Sequence, residues 1–242
     1  MKPLLIAVAL MVTLATAARA DTIGFVNGPS TNSTDFAAFV SSVGQAVSIL
    51  DFETHPFGAL QSDFYSSQGV TLRGAGNMQI GYGPGPGQSN ISSPPLSSGE
   101  GVHPDSKFLF VFDSPATLTV SFANPVAAAG LFTVDLFDPN QFPRNDVSIE
   151  AFSGPNGTGS SLGSFSSAGF NFQRNFLYFM GVGSTAGNIG SIVFHDPVGY
   201  SADMIGIDKI EFAATPEPAT SALFITGVIG LAIRRARRRG SR

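Results

Sequence analysis

Cysteine is absent from all 242 residues, and so is tryptophan. Without cysteine the chain has no disulfide, no thiol nucleophile and no thiolate metal site, so any folded body must be held by packing alone. That is feasible at this length, which suits one sizeable domain. Large apolar volume comes instead from 22 phenylalanines. Positive charge is scarce through most of the chain. Between Asp21 and Pro218 there are 5 Lys or Arg against 17 Asp or Glu, a net of −12, whereas the residues after Pro218 hold 6 arginines and no acid. An acidic body repels phosphate backbones, which argues against nucleic-acid binding. No long window repeats apolar residues every 3.6 positions, so long amphipathic helices are excluded as well.

What is present at the two ends reads as targeting. Lys2, the apolar run Leu4–Leu14 and Ala18-Arg19-Ala20 form the three parts of a secretory signal peptide, with cleavage predicted after Ala20. At the other end, Thr215-Pro216-Glu217-Pro218 precedes an uncharged run from Ala219 to Ile233 and then Arg234, Arg235, Arg237, Arg238 and Arg239. The uncharged run would be about 22 Å long as a helix, short against the roughly 30 Å of a bilayer core. Snorkelling by Arg234 and Arg235 extends its reach, and the arginine cluster holds that end on the cytoplasmic side. The prolines fix their own φ, and Glu217, preceding Pro218, is pushed to extended geometry. The motif therefore presents an extended peptide outside one short transmembrane helix.

The interior reads as strands. Val47–Phe52, Val70–Arg73, Phe108–Phe112, Thr117–Phe122, Ala128–Leu136, Val147–Phe152, Phe176–Val182, Ser191–Phe194 and Ile205–Phe212 are short apolar or alternating runs separated by Gly- and Pro-rich turns. This predicts an all-β domain, an antiparallel β-sandwich of jelly-roll-like type, over residues 21–214 with strands mainly from 47. Residues 81–100, rich in Gly, Pro, Ser and Asn, read as a long surface loop.

Few residues look catalytic. Gly159-Ser160-Ser161-Leu162-Gly163 fits the G-x-S-x-G nucleophile elbow, but no helix follows, and a β-hairpin loop running from Phe152 to Phe165 is the better reading. His55, His103 and His195 show no ligand spacing and read as loop residues. Asp51 and Glu53 lie two apart on a predicted strand, hence on one face, while Asp203 and Asp208 flank the start of the last strand. A sugar platform built on aromatics would be modest, with only Tyr65, Tyr82, Tyr178 and Tyr200 beside strand-borne phenylalanines.

Thr215–Pro218, the run 219–233 and the basic tail 234–242, in that order behind a signal peptide, resemble the PEP-CTERM sorting domain of Gram-negative bacteria. The resemblance implies an exosortase-type processing enzyme as partner. It also implies passage through the inner membrane to the cell surface or extracellular matrix, commonly one of polysaccharide and biofilm. Asp51-Phe52-Glu53-Thr54, the stretch from Tyr65, the stretch from Leu118 and Ile205–Phe212 resemble secreted galactose-binding-like or carbohydrate-binding jelly rolls. By that resemblance Asp51, Glu53, Asp203 and Asp208 would share a structural calcium, which needs six to eight oxygen ligands; the plain alternative is solvent-facing acids on an acidic domain. The expected function is thus a non-enzymatic exported envelope or matrix protein. A carbohydrate-binding module for exopolysaccharide is the alternative, and a polysaccharide-active hydrolase the third reading.

Overall fold

A computed structural model of the chain describes residues 22–27, 33–82, 107–112, 116–134, 147–166, 177–196 and 204–215. The predicted signal peptide, Asp203, and the sorting motif, predicted helix and basic tail from Pro216 onward lie outside these residues. Among the described residues no helix is long and apolar enough to cross a membrane.

The strands are β1 (Thr22–Asn27), β2 (Ser48–Asp51), β3 (Gly58–Ala59), β4 (Val70–Gly74), β5 (Asn77–Tyr82), β6 (Lys107–Phe112), β7 (Ala116–Val134), β8 (Ser148–Phe152), β9 (Ser161–Ser166), β10 (Tyr178–Ser184), β11 (Ile189–Asp196) and β12 (Met204–Ala214). Every pairing is antiparallel. The body is an all-β sandwich. The predicted strands Thr117–Phe122 and Ala128–Leu136 are two halves of the 19-residue β7. Its first half lies between β4 and β11, in a layer that continues through β8 to β9. The chain then crosses at Ala123–Pro125, and the second half lies between β10 and β12 in the other layer. β1 flanks β10 there, and β6, β5 and β3 follow β12.

Alternation puts one face of each layer into a shared core. Leu72, Val120, Ile149 and Ile192 from one layer meet Leu50, Val111, Leu131, Met180 and Ile210 from the other. A second apolar cluster covers the outer face of the β10–β7–β12 layer. It is capped by the only α-helix among the described residues, α1 (Thr34–Ser42), whose Phe36 and Val40 are fully buried against Phe25, Phe132 and Phe179. Each such burial contributes roughly 1.5–3 kcal/mol. Phe36, Phe39 and Val40 recur at the i, i+3, i+4 spacing, but nine residues are too few to stand out as a periodic window.

A hairpin of β8 and β9 is present, but its loop is shorter than the predicted 152–165: β8 ends at Phe152 and β9 begins at Ser161, with a 3-10 turn at Pro155–Gly157 between them. Ser161, the would-be nucleophile, opens a strand and hydrogen-bonds Glu150 on the surface, so there is no elbow.

Candidate functional site

The two neighbours of β12 on its outer side are stacked end to end. β6 pairs with Met204–Ile207, and β2 pairs with Lys209–Phe212, its last residue Asp51 opposite Lys209. Asp208 falls at this junction. It is also the extra residue of a β-bulge: against β7, Ile207 pairs with Thr133 and Lys209 with Phe132, leaving Asp208 unmatched. The bulge lets Ile207 and Ile210, an odd number of residues apart, both reach the inter-layer core. It also holds Asp208 half-buried beside the end of β2.

Three of the four acids singled out in the sequence meet here. Glu53 is not on the strand with Asp51, because β2 stops at Asp51 and the chain turns; the Glu53 amide donates to Asp51 Oδ1 at 3.3 Å. Burial raises the Asp208 carboxyl to about 6, with Lys209 lowering it and the negative charges of Glu53 and Asp51 raising it further. Asp203 lies outside the described residues. Among the described residues no three His, Cys, Asp or Glu side chains come together in a way that would hold a metal ion.

Lys107, the first residue of β6, ties the junction together. Its amide donates to Glu53 Oε1 at 3.0 Å, and its Nζ donates to the carbonyls of Glu53 (2.6 Å) and His55 (2.8 Å). The same ammonium lies 5.0 Å from the centre of the Phe57 ring, a cation–π contact. His55 is buried, its Nδ1 against the Pro56 carbonyl and its ring edge-on to Phe64 at 4.2 Å. Tyr65 packs edge-on to Phe52 and Phe64, and its hydroxyl donates to the Asp51 carbonyl at 3.2 Å. Burial, and to a lesser degree the Asp51 charge, pushes Tyr65 up to about 12, so it stays a neutral donor.

This framework holds two phenylalanines outward. Phe57 is 52% and Phe64 47% exposed, and only Ile23 and Ile49 match them among the described large apolar residues. Ile49, on β2, belongs to the same stretch. The sequence reading missed both rings, although each lies in a turn-rich segment rather than a strand. His195, by contrast, hydrogen-bonds Thr117 across strands and takes no part. Tyr178 is core, and Tyr200 lies outside the described residues.

No protein-family model matches the chain, and no curated protein matches it. Solved structures similar to it include the K2 cleaved adhesin domain of Lys-gingipain, with a TM-score of 0.43 and 13% identity over 69% of this chain and 99% of that one. The family 32 carbohydrate-binding module of C. perfringens NanJ, solved with galactose, gives 0.32 and 13% over 65% and 99%. A family 6 carbohydrate-binding module gives 0.31 and 12% over 69% and 94%. Likenesses this distant assign the chain neither a family nor a ligand.

Proposed function

We propose that the chain is an exported, non-enzymatic β-sandwich, delivered to the cell envelope or matrix through its C-terminal tail, whose Phe57–Phe64 patch binds extracellular polysaccharide. One observation carries the binding reading: in a body that buries most of its described aromatics, two phenylalanines are held about half-exposed on one braced loop beside carboxylates. Exposing them costs the hydrophobic gain of burial, a sacrifice a ligand would repay. A sugar ring offers C–H groups to an aromatic face and hydroxyls to carboxylate acceptors, and Asp51 and Glu53 supply the latter within the same turn. Lys107, its ammonium already donating to two carbonyls, acts as a strut.

Delivery rests on the order of signal peptide, Pro216-Glu217-Pro218, uncharged run and arginine cluster, read as substrate for an exosortase-type enzyme in the inner membrane. The acidic body keeps nucleic acid out of the account. Calcium remains an expectation of the resemblance, with Asp203 completing the set of four acids.

Full-length protein in detergent should be retarded in native gels containing the host's extracellular polysaccharide. Phe57→Ala and Phe64→Ala should each weaken that retardation about 10-fold or more, as expected for truncating an anchor worth ~1.4 kcal/mol or above. Equal retardation of wild type and both variants would overturn the patch. A hydrolytic reading has one observation of its own, the raised Asp208 carboxyl beside Glu53 and Asp51. Release of reducing ends, lost in Asp208→Asn, would decide for it.

A further inference from the structure

The loop joining β8 to β9 folds back over the layer it belongs to. Across its neck the Ser153 amide donates to the Ser160 carbonyl at 3.0 Å, and the Gly154 amide to the Thr158 carbonyl at 2.9 Å. At its tip the Thr158 amide donates to the Pro155 carbonyl at 3.1 Å, enclosing Asn156 (φ 55°, ψ 34°) and Gly157 (φ 69°). Positive φ at both central residues is the type I′ turn, for which Asn-Gly is the preferred pair. Asn156 is the only non-glycine residue with positive φ among the described residues.

Two serines hold the tip down. Ser121 of β7 and Ser191 of β11 stand opposite each other, and their neighbours Val120 and Ile192 point into the core. Both hydroxyls therefore lie on the outer face of the layer, yet both serines are buried, because the tip covers them. The Asn156 amide donates to Ser121 Oγ at 2.9 Å, and the Gly157 amide to Ser191 Oγ at 3.0 Å. Ser191 donates in turn to the Gly154 carbonyl at 2.6 Å, and Ser121 to Asn156 Oδ1 at 3.4 Å. The fit is close, since an added Cβ at Gly157 would meet Val193 Cγ2 at 3.1 Å. Asn156 itself remains exposed to water.

We propose that Asn156 is a modification site, a succinimide-forming Asn-Gly pair that the docked tip keeps closed. In the open chain the Gly157 nitrogen attacks Asn156 Cγ, unhindered because glycine adds no side chain beside it. The N–Cγ bond forms as Gly157 gives its proton to water, the Cγ–Nδ2 bond breaks, and Nδ2 leaves as ammonia. Water then opens the cyclic imide at either carbonyl, so the net change is water in and ammonia out. The product is aspartate, or isoaspartate with the backbone running on through Cγ. Ring closure needs the Gly157 nitrogen nearly eclipsed with Asn156 Cβ about the Cα–C bond. At ψ 34° the nitrogen lies on the far side of that bond, and its proton is engaged by Ser191. Reaction therefore waits for the tip to lift, at the open-chain rate multiplied by the fraction of time the tip is open. Isoaspartate lengthens the backbone of the turn, so the Pro155–Thr158 closure and both serine contacts cannot all be remade. The change is one-way: a tip that has reacted stays off Ser121 and Ser191.

A second Asn-Gly pair, Asn27-Gly28, calibrates the chemistry within the same chain. Full-length protein in detergent is aged at mildly alkaline pH with and without denaturing urea. Peptides covering positions 27 and 156 are followed by mass and by isoaspartyl methyltransferase labelling. In urea both asparagines should react at similar rates. In the folded chain position 156 should react about 10-fold or more slowly than in urea, since several hydrogen bonds must break to lift the tip. Ser191→Ala should recover several-fold of that rate, and Ser121→Ala, which leaves the Gly157 amide held, a smaller factor. Urea midpoints check that the variants fold, and should Ser191→Ala unfold the body, Ser121→Ala carries the comparison. Equal rates at 156 in folded and urea-treated wild type overturn the closed site, as does the wild-type rate in every folded variant. No reaction at 156 in urea, where Asn27 reacts, overturns the site itself.

Discussion

At the scale of single residues, Asp208 is the group whose behaviour follows most directly from its surroundings. Its carboxyl titrates at about 6 rather than 3.8, chiefly because burial penalises the charged form. The folded state therefore holds a proton that the unfolded state has lost between those two values. Stability falls as pH rises through that window and stays reduced above it. Asp208→Asn should therefore be more stable than wild type at pH 8, by on the order of 2 kcal/mol, with the difference shrinking to nothing near pH 4. Urea midpoints across that range check this. A constant offset between the two proteins, or a less stable variant at pH 8, would contradict it. The acids were legible in the sequence as a set, and the jelly-roll resemblance implied that they share a site, but the geometry that brings them near one another was not legible. Glu53 reaches Asp51 through a turn rather than along a strand, and Asp208 reaches both because a bulge displaces it. Phe57 and Phe64 were hidden for a different reason. Composition shows 22 phenylalanines but not which two the core leaves out.

Among elements, β7 organises the molecule. It runs through both layers, and its second half is pressed so closely against β10 that glycine is required. At Gly130 an added Cβ would lie 2.5 Å from Phe179 Cζ and 2.8 Å from both Gly181 Cα and the Met180 carbonyl oxygen. Two of those three contacts are backbone, so neither can swing aside. Gly130→Ala should cost about 1–3 kcal/mol, seen as a lower denaturation midpoint with an unchanged m-value. No loss would mean that β7 and β10 are further apart than described. Strand positions were read well where alternation was strong, as in Thr117–Phe122. Strands at Thr22–Asn27, Asn77–Tyr82 and Ser161–Ser166 went unread, since glycine and serine dilute the period-2 signal. The bulge in β12 likewise breaks the period at Asp208.

For the whole molecule, the proposed function joins an all-β sandwich to a C-terminal tail read from its sequence as a delivery signal. The fold class could be argued from turn spacing and alternating runs. The ligand could not, because sugar recognition depends on which side chains a loop leaves uncovered. Delivery is the claim on which the rest depends, since a polysaccharide partner is met only beyond the membrane. The most direct measurement is the intact mass of the protein recovered from its native cell surface. The account predicts a chain that begins at Asp21 and is cut near Pro216-Glu217-Pro218. A full-length chain of 242 residues, recovered from the cytoplasm with both ends uncut, would contradict it.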